Sequence, residues 1–270
     1  MTVNYSGKKI LRKLLPVFGV IVFISIWEVN SYFNLYHLIA PSLSPTTFPS
    51  FLSISERLCE IVASVDFWNA ARVTVARTLA GFGISMLLGT VLGLLAGRVQ
   101  LIGVLVNIPV EFFRNLPAIA AMPILILFLG IGTSMKVALC VFGSLFPILI
   151  ATTTSMQNIS EDIHIAARFY GWSGWRLLFI VLLPSALPEI AASGQTALSI
   201  SLILAVMGEM LIGGDGLGSM IVDAERTFNN LNLYALVMAL GIFGCLLAFG
   251  LRLIVNRLIF WKVNINWQQS

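Results

Sequence analysis

Long apolar runs separated by short polar stretches dominate this chain. An α-helix needs roughly 20 apolar residues to cross a bilayer. Six runs reach that length, and they cover residues 14–33, 78–97, 104–130, 135–156, 188–211 and 233–258. The pattern therefore predicts an all-α integral membrane protein with about six transmembrane helices.

The first and third runs differ from the others. The first follows a basic start and so imitates a secretory signal, but it is long enough to span and no small-residue cleavage site follows. We therefore expect an uncleaved first span. The apolar stretch 101–130 would be about 45 Å long as one helix. Because Pro109, Pro117 and Pro123 interrupt it, we expect an interfacial start followed by a kinked or broken span.

Composition rules out a water-soluble surface. The chain is 58% hydrophobic and 10% charged, whereas a soluble domain carries about 25% charged residues. The net charge of +4 includes no long basic run, so no nucleic-acid partner is expected. The cysteines and histidines, namely Cys59, Cys140, Cys245, His37 and His164, are scattered. No disulfide framework, metal site, bound cofactor or catalytic cluster is therefore predicted.

The distribution of Lys and Arg predicts the orientation. With the N-terminus inside, the inner segments hold ten basic residues, namely Lys8, Lys9, Arg12, Lys13, Arg98, Arg168, Arg176, Arg252, Arg257 and Lys262. The outer segments hold five, namely Arg57, Arg72, Arg77, Lys136 and Arg226. Both termini and the loop 157–187 are then cytoplasmic, and the long loop 34–67 is outside.

The cytoplasmic loop 157–187 is too polar to span. Residues 162–170 predict a short helix that ends at Gly171, because glycine tolerates the left-handed conformation that follows a helix. Ser173 is suited to cap a second helix. We expect Pro184 to stop that helix and Pro188 to open the fifth span.

Two spans carry stripes of small residues, which let helix backbones approach closely in lipid. The second span has Gly81, Ser85, Gly89, Gly93 and Gly97. The fifth has Gly194, Ala197, Ser201, Ala205 and Gly208. Either stripe can serve packing within one subunit or a subunit interface, and the sequence leaves both open.

Polar residues inside apolar spans are costly and usually mark function or pairing. Arg114, followed by Asn115 and Pro117, lies where the third span is broken. Arg114 can attract an anion in a translocation pathway, or it can snorkel to the headgroups or pair with Glu111.

The fifth span has its own polar residues. Glu209 near its outer end is a candidate for a pathway or gate, with interfacial solvation as the alternative. Gln195, Thr196 and Ser199 form a polar face that either lines a path or bonds to neighbouring helices.

The cytoplasmic loop also contains a spaced motif. Ile165-Ala166-Ala167 is followed by Gly171 and then by Val181-Leu182-Leu183-Pro184. This resembles the EAA loop of binding-protein-dependent ABC importer permeases, whose pattern is Glu-Ala-Ala, Gly, then Ile-x-Leu-Pro. Ile165 stands where the family has Glu. The resemblance implies that Ile165, Ala166, Ala167, Gly171, Leu183 and Pro184 couple the permease to an ATPase.

Other stretches extend the resemblance over about 69–262. Arg114-Asn115-Leu116-Pro117, followed by Gly130-Ile131-Gly132, is similar to the family's Arg-x-x-Pro segment. The run 213–218 is similar to its glycine-rich turn, and we expect positive φ angles there. Trp27-Glu28, Leu43-Ser44-Pro45 and 77–82 resemble the nitrate, sulfonate and taurine branch.

The resemblance implies a type I importer permease fold with a coupling-helix loop in the bacterial cytoplasmic membrane. We divide the chain into an N-terminal part (1–68), a permease core (69–262) and a tail (263–270). The glycine run lacks the Lys-Ser/Thr of a nucleotide-binding P-loop, so the chain is not expected to be an enzyme.

The implied partners are two cytosolic ATPases, a second permease subunit (an identical copy preferred to a homologue), an extracytoplasmic solute-binding protein and membrane lipid. The implied cargo is a small anion such as nitrate, a sulfonate or taurine.

Two other functions have less support in the sequence. A secondary transporter or channel would usually need coupling carboxylates or histidines at mid-membrane, and the spans are poor in them. A membrane enzyme would need a cluster of nucleophile, base or metal ligands.

Overall fold

The computed structural model describes residues 5–33 and 47–259, with the backbone alone at 5–14, 16, 17 and 100. Eleven α-helices occupy these ranges, together with a 3₁₀ turn (Ala118–Ala121) and a π-helical turn (Leu178–Leu182). The helices are α1 (Tyr5–Phe33), α2 (Phe51–Val62), α3 (Val65–Arg98), α4 (Gln100–Asn115), α5 (Met122–Leu129), α6 (Thr133–Gln157), α7 (Glu161–Phe169), α8 (Gly174–Leu177), α9 (Leu183–Ile212), α10 (Leu217–Arg226) and α11 (Asn230–Leu258).

No strand occurs within the described ranges, and the predicted all-α class is confirmed. Leu43-Ser44-Pro45, Lys262 and the tail 263–270 lie outside the described residues.

Within residues 5–33 and 47–259, four continuous helical segments are long and apolar enough to cross a membrane. They are α3, α6, α11 and the segment Gly174–Ile212. Leu101–Asn115 and Ala118–Leu129 add a fifth if the bent pair counts as one span. The first predicted span falls on α1, whose described apolar part, Phe18–Phe33, is shorter than a span.

The predicted break in the third span is present, and it lies at one of the three prolines. The two halves meet at 98°, and Leu116 between them is extended with ψ 126°. Pro117 accounts for this, because a proline disfavours the helical conformation of the residue before it. Pro109 remains inside α4, and Pro123 lies in the first turn of α5, where a missing N–H breaks no helical bond.

The stripe on α3 packs against α6 of the same chain. A Cβ on Gly89 would lie 2.9 Å from the Cβ of Ile148, and one on Gly93 would lie 2.6 Å from the Cβ of Thr152. On α9, the Ser201 hydroxyl donates to the carbonyl of Thr78 at 2.8 Å. Both stripes therefore serve packing within the subunit, which decides between the two interpretations that the sequence left open.

Helix α7 ends at the turn around Gly171, as predicted. Gly171 has φ +72°, its N–H donates to the carbonyl of Arg168 at 2.9 Å, and the N–H of Trp172 donates to the carbonyl of Ala167 at 3.0 Å. These two bonds form a Schellman motif, which satisfies carbonyls at the end of the helix.

The predicted stop at Pro184 is wrong. Helical structure runs without interruption from Gly174 to Ile212, with the π-helical turn Leu178–Leu182 immediately before α9. A proline clashes with the preceding turn and lacks an N–H, and the wider π turn accommodates Pro184 in the first turn of α9. The helix after Gly171 is thus continuous with the fifth span.

The chain divides into two compact units. The first contains residues up to Phe67 together with Ile221–Ala239. Within it, Trp27 stacks on Phe48 with ring centroids 4.4 Å apart, and Glu28 accepts the N–H of Phe51 at 2.9 Å. The second unit contains the remaining residues, including the three packed helices α3, α6 and α9.

Candidate functional site

The break in the third span carries an exposed ion pair. Nη2 of Arg114 lies 2.6 Å from Oε1 of Glu111, and 43% and 56% of the two side chains are exposed. Asn115 donates from its carboxamide to the main-chain carbonyl of Glu111 at 2.7 Å. This bond adds a side-chain contact within the last turn of α4. We call Glu111, Arg114, Asn115, Leu116 and Pro117 the elbow.

The elbow lies at the middle depth of the neighbouring spans. A cavity of about 440 Å³ is lined by Arg114 and Asn115 together with Phe146 of α6 and Ile200 of α9. Phe146 is close to the midpoint of Thr133–Gln157. Of the alternatives for Arg114, pairing with Glu111 is the one observed.

Aromatic rings form one wall of this cavity. Phe113 and Phe146 are stacked with centroids 6.5 Å apart, and Phe142 meets Phe146 edge to face at 5.6 Å. A second cavity of about 550 Å³ lies on the other side of the elbow and is lined by Asn107, Glu111, Asn115 and Pro117 among others. A charged pair with open space on both sides can exchange bonds with a solute.

One interpretation was that Gln195 and Ser199 on α9 form hydrogen bonds to neighbouring helices, and no such bond occurs among the described residues. The Ser199 hydroxyl donates to the carbonyl of Gln195 in its own helix at 3.3 Å. Ser199 and Thr196 are exposed, and Gln195 is half-buried. The same exposed face continues to Glu189 and Ser185, which sequence reasoning did not single out although their spacing follows the helical period.

That face borders a third open space, of about 740 Å³, at the loop end of α6 and α9. Ser155, Asn158, Glu189 and Thr196 are among its lining residues. The Ser155 hydroxyl donates to Oε2 of Glu189 at 3.3 Å. A polar surface of this kind is expected where a helix meets water rather than lipid.

Glu209 is fully buried in its own chain, so interfacial solvation does not describe it. Its carboxylate accepts from Thr74 Oγ1 at 2.8 Å, from Arg77 Nη1 at 2.9 Å and from the N–H of Gly218 at 3.0 Å. The predicted pathway role finds no support in this position, because a sealed carboxylate does not meet a passing solute. We call Thr74, Arg77, Lys136 and Glu209 the buried clamp.

The clamp ties the glycine-rich turn to α3 and α6. Arg77 also donates to Oδ1 of Asp215 at 2.5 Å and to Thr133 at 3.0 Å, and Lys136 donates to the carbonyl of Gly213 at 2.7 Å. The Arg77 hydrogen bond holds the pKa of Asp215, which lies in the turn, below its ordinary value. The turn is therefore held by charge as well as by its backbone.

The glycines of the turn have the predicted positive φ angles at Gly213, Gly214 and Gly216. The structure adds a second reason for glycine. A Cβ on Gly216 would lie 2.2 Å from Cδ of Glu209. The sequence assigned Arg77 and Lys136 to outer segments, but each side chain is only 3% exposed. Their burial could not be predicted from the sequence, because their partners lie far along the chain.

The residues predicted to couple the chain to an ATPase differ in exposure. Ala166 and Gly171 are exposed, whereas Ala167 is 3% exposed and faces its own chain. Leu183 and Pro184 are half-buried, with Leu183 packed against the cluster of Leu178, Leu182, Ala186, Ile190 and Met156. Large apolar side chains are nevertheless exposed around the turn, namely Ile165, Phe169, Tyr170, Trp175 and Phe179.

The site offers ion pairing and hydrogen bonding rather than metal chemistry. Across 5–33 and 47–259, no three His, Cys, Asp or Glu side chains come together as a metal site would require. The absence of a cofactor stays a prediction.

Comparison with known proteins gives consistent results. The chain is 25% identical over 241 residues to a putative aliphatic sulfonates transport permease, SsuC, of Bacillus subtilis, covering 89% of this chain and 85% of that protein. It is 28% identical to the nitrate import permease NrtB of Leptolyngbya laminosa, covering 72% and 69%. The predicted resemblance to the nitrate and sulfonate branch is thus confirmed.

A solved structure of the MetNI methionine ABC transporter, in an inward-facing conformation, matches with a TM-score of 0.62 at 20% identity, covering 75% of this chain and 98% of that one. This likeness shows the fold. The model of the binding-protein-dependent transport system inner membrane component family matches residues 89–261, more than half of the chain, and the chain belongs to that family of transport permeases.

Proposed function

We propose that this chain is the membrane-spanning subunit of an ABC importer that carries a small oxyanion of the sulfonate or nitrate type. The elbow is the observation that carries this proposal. Non-helical backbone at membrane depth is tolerated only where it is buried in protein or lines a water-filled space. Leu116 and Pro117 form such backbone beside open cavities, and Arg114 faces one of them.

The chemistry of the elbow supports an oxyanion. A guanidinium presents a planar fork of N–H donors that matches oxygen atoms sharing a negative charge. Phe113 and Phe146 exclude water on one side, and a drier surrounding strengthens the attraction between Arg114 and an anion. The sulfonate and nitrate relatives are consistent with this cargo class.

The loop 157–187 supports docking of a cytosolic ATPase. Phe169 and Tyr170 are 87% and 76% exposed beside the turn at Gly171, and a cluster of exposed apolar side chains marks an interaction surface. ATP hydrolysis is then carried out by two such partner subunits, while a second permease copy completes the pathway and a binding protein delivers the solute from outside. Both chain termini face the cytoplasm of the bacterial cell.

The continuous helix from Gly174 to Ile212 suggests how the coupling works. Because no break separates the coupling turn from the fifth span, movement of the turn rotates or tilts that span as one body. ATP-driven closure of the ATPases then shifts the permease between inward-facing and outward-facing states. The delivered solute biases this equilibrium only through contacts that differ between the two states.

Transport by purified complexes tests the proposal. The permease, its ATPase and its binding protein are reconstituted in proteoliposomes, and uptake of labelled taurine and nitrate is measured with and without ATP. We expect uptake to need ATP, Arg114→Gln to reduce it about tenfold or more, and Arg114→Lys to reduce it less, because the charge is kept and the fork is lost.

ATP-independent uptake would indicate a secondary transporter instead. ATP-dependent uptake that Arg114→Gln leaves unchanged, with intact assembly, would remove the elbow from the pathway.

A further inference from the structure

We infer that Glu111 is a resident competitor for the cargo at the elbow: its carboxylate occupies the guanidinium of Arg114 when the site is empty, and it returns to expel the oxyanion. This inference rests on the proposed function and adds the regulation of that site. A carboxylate presents two oxygen atoms that share one negative charge, as a sulfonate or nitrate presents three. Glu111 therefore marks the position that a bound oxyanion would take.

The ion pair between Arg114 and Glu111 can separate readily. Among the described residues, the bond to Glu111 is the one hydrogen bond made by the guanidinium of Arg114, although a guanidinium has five N–H donors. Both side chains are about half exposed, and cavities lie on both sides of them. Donors thus remain for a solute that arrives while Glu111 is still bound.

The buried clamp provides a contrast within the same chain. It also contains an Arg–Glu pair, Arg77 and Glu209, but those side chains are 3% and 0% exposed. Thr74 and the N–H of Gly218 supply further bonds to that carboxylate. The Arg77–Glu209 pair is closed off from solvent, whereas the elbow pair is open to it.

A transport site must bind its solute well enough to admit it and weakly enough to release it. A lone Arg at mid-membrane would hold an anion tightly and would be costly when empty. Glu111 answers both requirements, because it neutralises Arg114 in the empty state and competes with the anion in the filled state. The bond from Asn115 to the Glu111 carbonyl fixes the last helical turn, so Glu111 stays within reach of Arg114.

A reporter cysteine tests this directly. Ile203 is 56% exposed and lines the same cavity as Arg114, and Ile203→Cys is introduced after the native cysteines are replaced. The purified permease–ATPase complex is treated with a negatively charged and a positively charged methanethiosulfonate reagent of similar size. The ratio of the two reaction rates reports the charge at the elbow.

Glu111→Gln should raise the rate ratio in favour of the anionic reagent about tenfold, since one negative charge is removed near the reporter. The nitrate concentration that halves the reaction rate should fall about tenfold. Glu60→Gln is the matched control, because Glu60 forms an exposed i,i+3 pair with Arg57 on α2. Glu60→Gln should change neither the rate ratio nor the half-protecting nitrate concentration by more than about twofold, as expected for a surface pair.

The outcomes separate the inference from the proposed function. Unchanged or weaker nitrate protection in Glu111→Gln would overturn the inference. If Arg114→Gln abolishes protection in that case, the oxyanion pathway stands and only the role of Glu111 is lost. If Arg114→Gln also changes neither quantity, the anion pathway at the elbow fails as well.

Discussion

At the residue scale, Glu209 shows how burial changes the meaning of a charged residue in a span. An exposed carboxylate near a membrane surface needs no partner, but Glu209 is fully buried. Its charge is therefore matched by Arg77 and by donors from Thr74 and Gly218. Because a buried ion loses its hydration, the pair stabilises the fold only while both members are present.

Arg77→Met should consequently lower the free energy of unfolding by about 3–5 kcal/mol, because it leaves the charge of Glu209 buried without its ion-pair partner. Adding Glu209→Gln should restore much of the loss. The measurement is the apparent melting temperature of the purified permease in detergent. A double variant that melts lower than Arg77→Met would contradict a charge-based explanation.

The stability that this cluster gives at low pH depends on Asp215. Arg77 lowers the pKa of Asp215 in the folded protein. The contribution of this ion pair to folding stability is therefore present above the unfolded pKa of about 3.9, and it is lost as pH falls through the lower folded pKa. Asp215 is 66% exposed, and its contribution is therefore small, as for other solvated ion pairs.

At the element scale, the helix after the turn at Gly171 and the fifth span form one continuous helical segment. The turn at Gly171 is held by the Schellman bonds, and the π-helical turn keeps Gly174–Ile212 continuous past Pro184. Under the proposed coupling, movement of the turn reaches the fifth span through this segment. The low surface at Ala166 and Gly171 is then the expected contact for a partner.

Replacing the neighbouring residues Ala166 and Ala167 of α7 by glutamate should therefore have different effects. Ala166→Glu places a charge on the exposed face, and we expect a folded permease that no longer holds its ATPase. Ala167→Glu places the charge inside the chain, where burial is costly, and we expect a lower yield of folded permease. Recovery of monodisperse permease and the amount of co-purified ATPase distinguish the two effects.

Full co-purification of the ATPase with a folded Ala166→Glu variant would show that the exposed face of α7 is not the coupling surface. Gly171→Glu is a less clean probe, because any side chain there adds a left-handed backbone penalty of about 1–2 kcal/mol.

At the scale of the whole molecule, orientation follows from charge rather than from contacts. Two of the five basic residues assigned to outer segments, Arg77 and Lys136, are buried and do not act as loop charges. Their removal from the count strengthens the asymmetry that places both termini inside. The orientation stays a prediction.

Single cysteines in a background without the native ones test it. Ser173 and Thr227 are both exposed in turns between helices. We expect Ser173→Cys to be shielded from an impermeant thiol reagent in intact cells and Thr227→Cys to be labelled. Labelling of Ser173→Cys before the cells are opened would invert the topology.

The sequence by itself determined the features that depend on local chemistry. Apolar length determines which segments can span, Pro117 breaks the third span because it disfavours helical backbone at Leu116, and the tolerance of Gly171 for φ +72° ends α7. The motif spacing of the loop 157–187 identified the family, because the residues that carry it lie close together along the chain. Arg114 was also found in this way, since a charge in an apolar run is visible without a structure.

Only the tertiary structure decided which residues meet. Arg77 and Glu209 are separated by 132 positions, and nothing local indicates that they form a sealed pair. The stripe on α3 faces α6 because helix packing places it there, and the same packing turns Ala167 inward. The Arg77–Glu209 and Arg114–Glu111 pairs have the same chemistry. The solvent around each pair, which the fold alone creates, separates the buried clamp from the open elbow.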